Sequence, residues 1–219
     1  VTGLAYYSSL AMVTSVVVYL LAFAAHGAEW AAARRVDAAG APETGAPDAA
    51  DARVASFGRV GLALTTVAVA LHVGGVVLRG LAAGRAPWGN MYEFVTTTLA
   101  IVGVGYLAAA LSGRLRWLGL PVTWLLLMGQ GLAVTVLYVA VSPLVPALHS
   151  VWFVIHIIAA ATSGAMFNVG GLASVLYLVK TRAERRGTPR GYLARLPEPV
   201  ALDRIAYRVT AFAFPLWTF

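Results

Sequence analysis

Five long apolar runs divide the 219-residue chain, and each is long enough to cross a membrane as a helix. An α-helix rises about 1.5 Å per residue, so about 20 apolar residues cross a hydrocarbon core roughly 30 Å thick. A sixth run begins near Ile205 and stops at Phe219, and we expect it to be a truncated span. The sequence therefore predicts an all-α fold, a polytopic transmembrane helical bundle with five full spans and a truncated sixth. The five predicted spans are Leu4–Ala25, Phe57–Leu78, Phe94–Leu111, Leu118–Val141 and Val151–Val179.

The composition excludes a water-soluble fold and several kinds of chemistry. Hydrophobic residues make up 60% of the chain and charged residues only 11%. A soluble domain carries about 25% charged residues, so most of this surface must face lipid. The chain has no cysteine, which excludes disulfides, cysteine-ligated metals, thiol catalysis and covalent haem attachment to the chain itself. The first apolar run lacks a basic leading segment and is too long for a signal peptide, so we interpret it as a true span.

The basic residues predict the orientation in the membrane. Of the 16 Lys and Arg, all but Arg79 and Arg85 fall in loops on one side of the predicted bundle. Because positive loops stay in the cytoplasm, residues 27–56 and 180–204 are predicted cytoplasmic loops. Residues 79–93 and 142–150 are then external, as is the N-terminus. The whole chain, residues 1–219, reads as one transmembrane domain.

The two cytoplasmic loops are expected to be unstructured. Residues 36–50 are mostly Ala, Pro, Gly and acids, which cannot bury enough apolar surface to fold. Residues 180–204 are basic and interrupted by Gly and Pro, and such a loop attracts anionic lipid headgroups. The net charge of +7 lies in these loops without a basic stripe between exposed aromatics, so the composition does not indicate nucleic-acid binding.

Few ionisable residues lie in or near the spans. Because a charged group in lipid is costly, each of them is a candidate for a functional role. His149 and His156 are seven residues apart, so two helical turns place them on one face, with His156 about 10 Å below the outer surface. His72 precedes Arg79 by seven residues and is expected at a similar depth, whereas His26 lies at the inner edge of the first span. A neutral imidazole is a haem-iron ligand. On spacing alone, a structural hydrogen bond to a neighbouring helix explains His72, His149 and His156 better than a ligand role does.

The external loop reads Pro-Trp-Gly-Asn-Met-Tyr-Glu over residues 87–93. Pro87 and Gly89 prevent a simple helix, and Trp88 suits the headgroup level of the bilayer. Glu93 enters the third span at its N-terminus, where the helix dipole tolerates an anion. A loop that merely anchors the chain at the membrane interface, with an acid at the start of the next helix, would explain the aromatic residues. It would not explain the particular order of all seven residues.

The whole chain resembles the CcsA/ResC family of cytochrome c biogenesis proteins, which is part of a haem-handling superfamily. The resemblance rests on three sequence motifs, which occur here in the order and at the positions among the spans that are typical of that family. The first runs from Leu71-His72 through Arg79 to the string at 87–93, and the second is Pro-Ala-Leu-His-Ser-Val-Trp-Phe-Val-Ile-His at 146–156. The third is the basic loop followed by Asp-Arg-Ile-Ala-Tyr-Arg at 203–208. The loop string and the Ser-x-Trp-x-x-x-His pattern are fairly specific together, and either alone would be weak.

The resemblance implies a role in haem attachment. Such proteins present haem b, a transient substrate, at the outer face of the bacterial cytoplasmic membrane for attachment to Cys-x-x-Cys-His sites of apocytochrome c. They act in a system II cytochrome c synthase (haem lyase) complex with a ResB/CcsB-type membrane protein, and a thioredoxin-like thiol reductase is a further partner. The chain itself would contribute positioning rather than a catalytic side chain.

The same resemblance suggests roles for individual residues. His156 matches the family's external axial ligand of haem iron, whereas His149 stands where the family more often has Gln. A tryptophan-rich (WWD) segment and a second external histidine are expected to follow Phe219, which makes this chain an N-terminal portion. The other candidates for contact with haem are Trp88 and Trp152 as porphyrin walls, Arg79 and Arg85 as propionate partners, and His72 and Glu93 in supporting roles.

Other classes of protein remain open at this point. A membrane transporter and a b-type haem or quinone-reactive respiratory subunit would both lack synthase activity. A bis-histidine haem subunit usually needs two histidine pairs on facing helices, whereas the candidate histidines here all lie in the outer half of the predicted bundle. A structural assembly subunit is the third alternative.

Overall fold

The computed structural model describes residues 2–39, 49–113, 115–143, 150–187, 189 and 191–218. All regular elements in these ranges are helical, and a short 3-10 turn at Arg116–Leu118 precedes the fourth helix. The helices are α1 (Thr2–Ala39), α2 (Ala49–Ala83), α3 (Met91–Leu111), α4 (Gly119–Thr135), α5 (Val151–Arg185), α6 (Tyr192–Arg195) and α7 (Pro199–Thr218).

Five of these segments are long and apolar enough to cross a membrane, which confirms the predicted multi-pass helical fold. In lipid the backbone must satisfy its own hydrogen bonds, so each apolar run becomes a helix. The predicted sixth run lies in α7. The candidate spans are Gly3–Val36, Asp51–Ala83, Met91–Leu111, Arg116–Thr135 and Val151–Arg185.

The helix ends differ from the predicted loop boundaries. α1 continues to Ala39 and α2 begins at Ala49, so both ends of the predicted loop 27–56 are helical. Residues 40–48 lie outside the described residues. α5 likewise continues to Arg185, and the predicted external loop 79–93 begins inside α2. These flanks are rich in Ala, Arg and Glu, which favour helix, and a helix does not stop where hydropathy falls.

The predicted cytoplasmic loop 180–204 is also more ordered than its Gly and Pro content suggested. Lys180 Nζ, on α5, donates to the carbonyl oxygens of Leu196 at 2.6 Å and Pro197 at 3.0 Å. The hydroxyl of Tyr192, on α6, donates to the carbonyl oxygen of Trp117. These two attachments hold α6 against the bundle, and α7 starts directly afterwards.

We call the end of the bundle where α1 ends and α2 begins the basic end. The opposite end, where α2 ends and α3 begins, is the distal end. α1 and α2 run antiparallel, α4 packs on α1 and α3, and α5 packs on α3 and α7. This order places the loop between α2 and α3 beside the segment that follows α4.

The α1–α2 pair packs along a heptad seam of small and polar side chains. Buried positions recur at alternating spacings of three and four residues, as in a coiled coil. Small residues allow close helix approach in lipid, where no hydrophobic force separates buried from lipid-facing positions. The seam positions on α1 are Ser8, Met12, Ser15, Tyr19, Ala22, His26 and Ala33, and those on α2 are Val54, Gly61, Thr65, Ala68, His72, Gly75, Arg79 and Ala82.

His26 occupies a slot that two glycines leave open. A Cβ added to Gly61 of α2 would lie 2.7 Å from its imidazole, and one added to Gly119 of α4 would lie 2.5 Å from it. The ring nitrogens contact Glu29 Oε2 at 3.3 Å and Thr65 Oγ1 at 3.4 Å. The histidine therefore joins three helices near the basic end.

We expect Gly61→Ala to lower the free energy of unfolding by roughly 1–3 kcal/mol, because the new methyl group must displace the His26 ring. Gly74→Ala is the matched control, since Gly74 lies in α2 with nothing within 4 Å of an added Cβ. That change should be neutral or stabilising by about 0.5–1 kcal/mol, because Ala favours helix over Gly. Thermal unfolding of both variants in one detergent measures the difference, and equal stabilities would contradict the slot.

Candidate functional site

A buried carboxylate flanked by two arginines lies at the distal end. Glu93 Oε1 accepts from Arg79 Nε at 3.0 Å, and Oε2 accepts from Arg85 Nη1 at 2.7 Å. The backbone N–H of Gly89 donates to Oε2 at 2.8 Å. Glu93 has no exposed surface and Arg79 only 2%. Charge-assisted bonds of this kind are short and strong, and here they join α2, the α2–α3 loop and α3.

The loop that carries this site is shaped by its own sequence. Gly84 ends α2 with a φ of +63°, a left-handed conformation that glycine adopts without strain. The side chain of Asn90 accepts from the backbone N–H of Glu93 at 3.0 Å and caps α3. At Gly89 an added Cβ would lie 2.6 Å from Arg85 Nη2, so a larger residue there would displace that guanidinium from its present position. Pro87 is held by a hydrogen bond from Thr97 Oγ1 to its carbonyl oxygen at 3.0 Å.

The two arginines also bind the segment after α4. Arg79 Nη2 donates to the carbonyl oxygen of Val139 at 2.6 Å, and Arg85 Nη2 to that of Ser142 at 3.0 Å. Tyr92 stacks under the Arg79 guanidinium with 5.1 Å from its carbon to the ring centre. α4 ends at Thr135 rather than at the predicted Val141, and these two bonds hold the non-helical segment that follows it against the α2–α3 loop.

The structure thus brings together three of the predicted site residues, Arg79, Arg85 and Glu93. Their charges are directed at each other and at backbone carbonyls rather than outward. Arg85 is the more accessible arginine, with 13% of its side chain exposed. Contact of either arginine with haem propionates stays a prediction.

His72 lies two turns from Arg79 on the seam of α2 and is fully buried. Its Nδ1 is 3.2 Å from the Tyr19 hydroxyl, and the two rings meet edge to face at 6.0 Å. Its Nε2 has no hydrogen-bond partner among the described residues. Protein encloses the ring on all sides, which suits the supporting role predicted for His72 better than direct contact with a porphyrin.

His156 has a contrasting environment on α5. Ser150 caps that helix by accepting from the Trp152 backbone N–H at 3.2 Å, so His156 lies about 7–8 Å along the helix. Its side chain is exposed, and Trp152, one turn earlier on the same face, is 72% exposed. Within the described ranges the His156 imidazole makes no hydrogen bond or ion pair. Its imidazole is therefore free to ligate a metal.

The remaining candidates are less informative. His149 lies outside the described residues, so its expected position on the face of His156 stays a prediction. Trp88 is half-buried in the α2–α3 loop. In the described part of the chain, neither His156 nor Trp152 makes a hydrogen bond to the Glu93 cluster.

Sequence reasoning missed several contributors to this site. The Asn90 cap was detectable, since an Asn three residues before an acid at the start of an apolar run is an N-terminal helix signature. Tyr19 and the carbonyls of Val139 and Ser142 had no local signal, because their partners are 53 to 60 residues away in the chain.

Comparison with known proteins agrees with the family resemblance that the sequence motifs indicated. The family model described as Cytochrome C assembly protein matches residues 87–219. The cytochrome c biogenesis protein CcsA of Picosynechococcus is 30% identical over 165 residues, which are 71% of this chain and 48% of that protein. CcsA of Synechococcus elongatus is 29% identical over 208 residues, covering 74% of this chain and 63% of the relative.

CcsA of Chlamydomonas reinhardtii matches over a shorter stretch. It is 36% identical over 77 residues, which are 35% of this chain and 21% of the relative. The chain spans about half the length of the Picosynechococcus protein. No solved structure matches the chain significantly. The family match begins at Pro87 and contains the loop string, the capped carboxylate and His156, and it extends over more than half of the residues. The chain therefore belongs to the cytochrome c assembly protein family.

Proposed function

We propose that the protein presents haem at the outer face of a bacterial cytoplasmic membrane for covalent attachment to apocytochrome c. It would act as the haem-handling subunit of a system II cytochrome c synthase. The observation that carries the proposal is the exposed His156, whose imidazole lies beside the exposed Trp152 on α5 and has no protein partner in the described chain.

His156 is proposed as one axial ligand of the haem iron. A histidine without a hydrogen-bond partner on a lipid-level helix face is costly unless another group engages it. Iron ligation satisfies one ring nitrogen, and an indole one turn away offers a flat apolar surface to a porphyrin. The second axial ligand is expected from outside the described residues.

The Glu93 cluster has a positioning role in this proposal. Its two ion pairs and the Gly89 N–H hold the α2–α3 loop against the segment after α4. A loop fixed in this way keeps Trp88 and the exposed side of Arg85 in one place. Both would then be available to the porphyrin edge and a propionate.

The chemistry to be assisted is thioether formation. Haem supplies its vinyl groups, and each takes up the sulfur and hydrogen of one apocytochrome thiol. The chain has no cysteine and cannot compete as acceptor. Holding haem and thiols together removes much of the entropic barrier. A ResB/CcsB-type partner and a thioredoxin-like reductase that keeps the thiols reduced complete the proposed complex.

Deleting the encoding gene should remove nearly all covalently bound haem from the host while b-type cytochromes persist. The wild-type gene in trans should restore c-type cytochromes, and haem staining of denaturing gels with pyridine haemochrome spectra measures both haem classes. A transporter or a b-type respiratory subunit predicts the reverse pattern, with c-type cytochromes retained. That pattern would contradict the proposal.

The proposed orientation has its own test. A periplasm-dependent reporter fused after Ser142 should be active, and the same reporter fused after Arg190 should be silent. A cytoplasm-dependent reporter should give the opposite pair of results. The reason is the concentration of Lys and Arg at the basic end, which favours a cytoplasmic location. Inverted activities would place His156 and the Glu93 cluster on the wrong side for haem presentation.

A further inference from the structure

Two adjoining cavities lie at the basic end, far from the Glu93 cluster. Their volumes are about 200 Å³ and about 250 Å³. They share His26, Glu29 and Arg116, and we call the pair the basic-end pocket. Each cavity is much larger than the roughly 30 Å³ that one water occupies, so the pocket has room for a polar headgroup.

One residue that lines this pocket carries a buried hydroxyl without a partner. Tyr106, on α3, is only 4% exposed, and its hydroxyl has no hydrogen-bond partner among the described residues. Tyr106 lines the second cavity together with Arg59 and Arg116. Buried polar groups are nearly always paired, so this hydroxyl is available to a ligand that enters the adjoining cavity.

The charges of the pocket favour an anion. Arg59, Arg116 and Arg195 line it, against a single acid, Glu29. Glu29 is already engaged by His26, at 3.3 Å from Nδ1. Arg116 uses its Nε on the carbonyl oxygen of Ala110 at 3.3 Å, and its terminal nitrogens make no hydrogen bond within the described ranges. A guanidinium with free terminal nitrogens is suited to bidentate binding of a phosphate.

The aromatic residues that line the pocket indicate that the bound anion is the headgroup of an amphiphile. Trp30, Trp117 and Tyr192 form an aromatic side of the first cavity. Such side chains concentrate at the headgroup level of a bilayer, and this pocket lies where the spans α1, α2 and α4 meet the basic end. Basic pockets between helices at this level are typical binding places for anionic lipid headgroups.

A third cavity of about 490 Å³ shares Trp30 with the pocket. It is lined by Arg34, Arg182 and Arg186, and the Arg34 guanidinium stacks on Trp30 at 5.3 Å. The basic surroundings therefore continue beyond the pocket and favour an anionic headgroup.

We propose that the basic-end pocket binds the phosphate of an anionic phospholipid headgroup. Arg116 holds the phosphate oxygens, the Tyr106 hydroxyl donates one hydrogen bond, and the aromatic side receives the glycerol and acyl stems. The site is separate from the proposed haem contacts, and it is independent of the proposed function.

Tyr106→Phe provides the sharpest test, because it removes only the unpaired hydroxyl. The purified protein is placed in nanodiscs of phosphatidylcholine alone or with phosphatidylglycerol, and thermal unfolding is followed. We expect phosphatidylglycerol to raise the wild-type midpoint by several degrees, because a ligand of the folded state stabilises it. The Tyr106→Phe variant should lose most of that rise, yet be no less stable than wild type in phosphatidylcholine alone.

Arg116→Gln should lose the rise as well, and two controls should keep it. Tyr207→Phe changes a tyrosine that is 72% exposed, and Arg185→Gln changes an exposed arginine that lines none of these cavities. An equal rise in Tyr106→Phe and wild type would overturn the proposal, as would equal loss in the controls.

Two further probes distinguish the source of the anion. Inorganic phosphate at millimolar concentration in phosphatidylcholine discs should leave the midpoint unchanged, because it lacks the apolar stem. A rise with phosphate alone that depends on Tyr106 would overturn the lipid assignment in favour of a soluble anion. A Tyr106-dependent rise with hemin and none with phosphatidylglycerol would likewise overturn it.

Discussion

Glu93→Gln is expected to lower the free energy of unfolding by about 3–5 kcal/mol, the cost of leaving a buried charge without its partner. The substitution keeps the shape of the side chain but removes the negative charge between Arg79 and Arg85. Arg79 is almost fully buried and Arg85 is 13% exposed, hence both guanidinium groups would lose their counter-ion in a place with little or no access to water. Few other single changes in the described part of the chain should cost as much.

The measurement compares two glutamates. Glu184 is 39% exposed and lies 4.0 Å from Lys180 on α5, so Glu184→Gln should cost no more than about 1 kcal/mol. Thermal unfolding in detergent gives both values, and limited proteolysis at residues 84–90 reports release of the α2–α3 loop. Similar stabilities for the two variants would show that the cluster does not hold the distal end together.

Loss of the cluster should also affect maturation beyond its effect on protein level. When expression is adjusted so that Glu93→Gln and wild type are equally abundant, the variant should still yield several-fold less holocytochrome c. The reason is that the loop with Trp88 would no longer be held in one position. Equal yields at equal abundance would restrict Glu93 to a stabilising role.

His156→Ala is expected to abolish most c-type cytochrome maturation and most haem retention in the intact synthase. The side chain is exposed and free of protein partners in the described chain, so its removal should cost little stability. Added imidazole should restore part of both activities, since a free imidazole enters the vacated space and ligates iron. Haem staining of c-type cytochromes and the absorption spectrum of the purified complex measure the two effects.

Two controls make the His156 result specific. Ile155→Ala changes the neighbouring residue, which is 39% exposed, and should leave maturation intact. His149→Gln should be nearly silent, because the resembling family more often has Gln there. A purely structural His156 predicts a different outcome, namely lower protein level through a lost hydrogen bond worth about 1–3 kcal/mol, without rescue by imidazole. Normal maturation in a well-expressed His156→Ala variant would contradict the ligand role.

The loop string at 87–93 was the most informative part of the sequence for the site. Its order predicted a non-helical loop with Glu93 at the N-terminus of the next span, and the structure has Glu93 in the first turn of α3, whereas the Asn90 cap was not predicted. The roles of individual residues were less accessible. Gly89 lies close to the Arg85 guanidinium, a contact that depends on how the loop folds back, and no local pattern specifies it.

The buried face of α1 and α2 was not predictable from hydropathy. In water, apolar residues mark the buried side of a helix, but in lipid both sides are apolar. The seam between these helices carries polar residues such as Ser15, Thr65 and His72 beside a few large ones such as Met12 and Tyr19. A search for heptad spacing of small and polar residues would have found it.

The sequence by itself determined the number of spans, their helical form and the segregation of positive charge. These properties depend on local quantities, because each run of about 20 apolar residues must satisfy its backbone within itself. Only the tertiary structure decided the environment of the charged and polar side chains. Arg79 is buried because Glu93 and the Val139 carbonyl, 14 and 60 residues away in the chain, offset the loss of its hydration. His156 stays exposed because no described element packs over that face of α5, and this difference in partners distinguishes a structural ionisable residue from a candidate ligand.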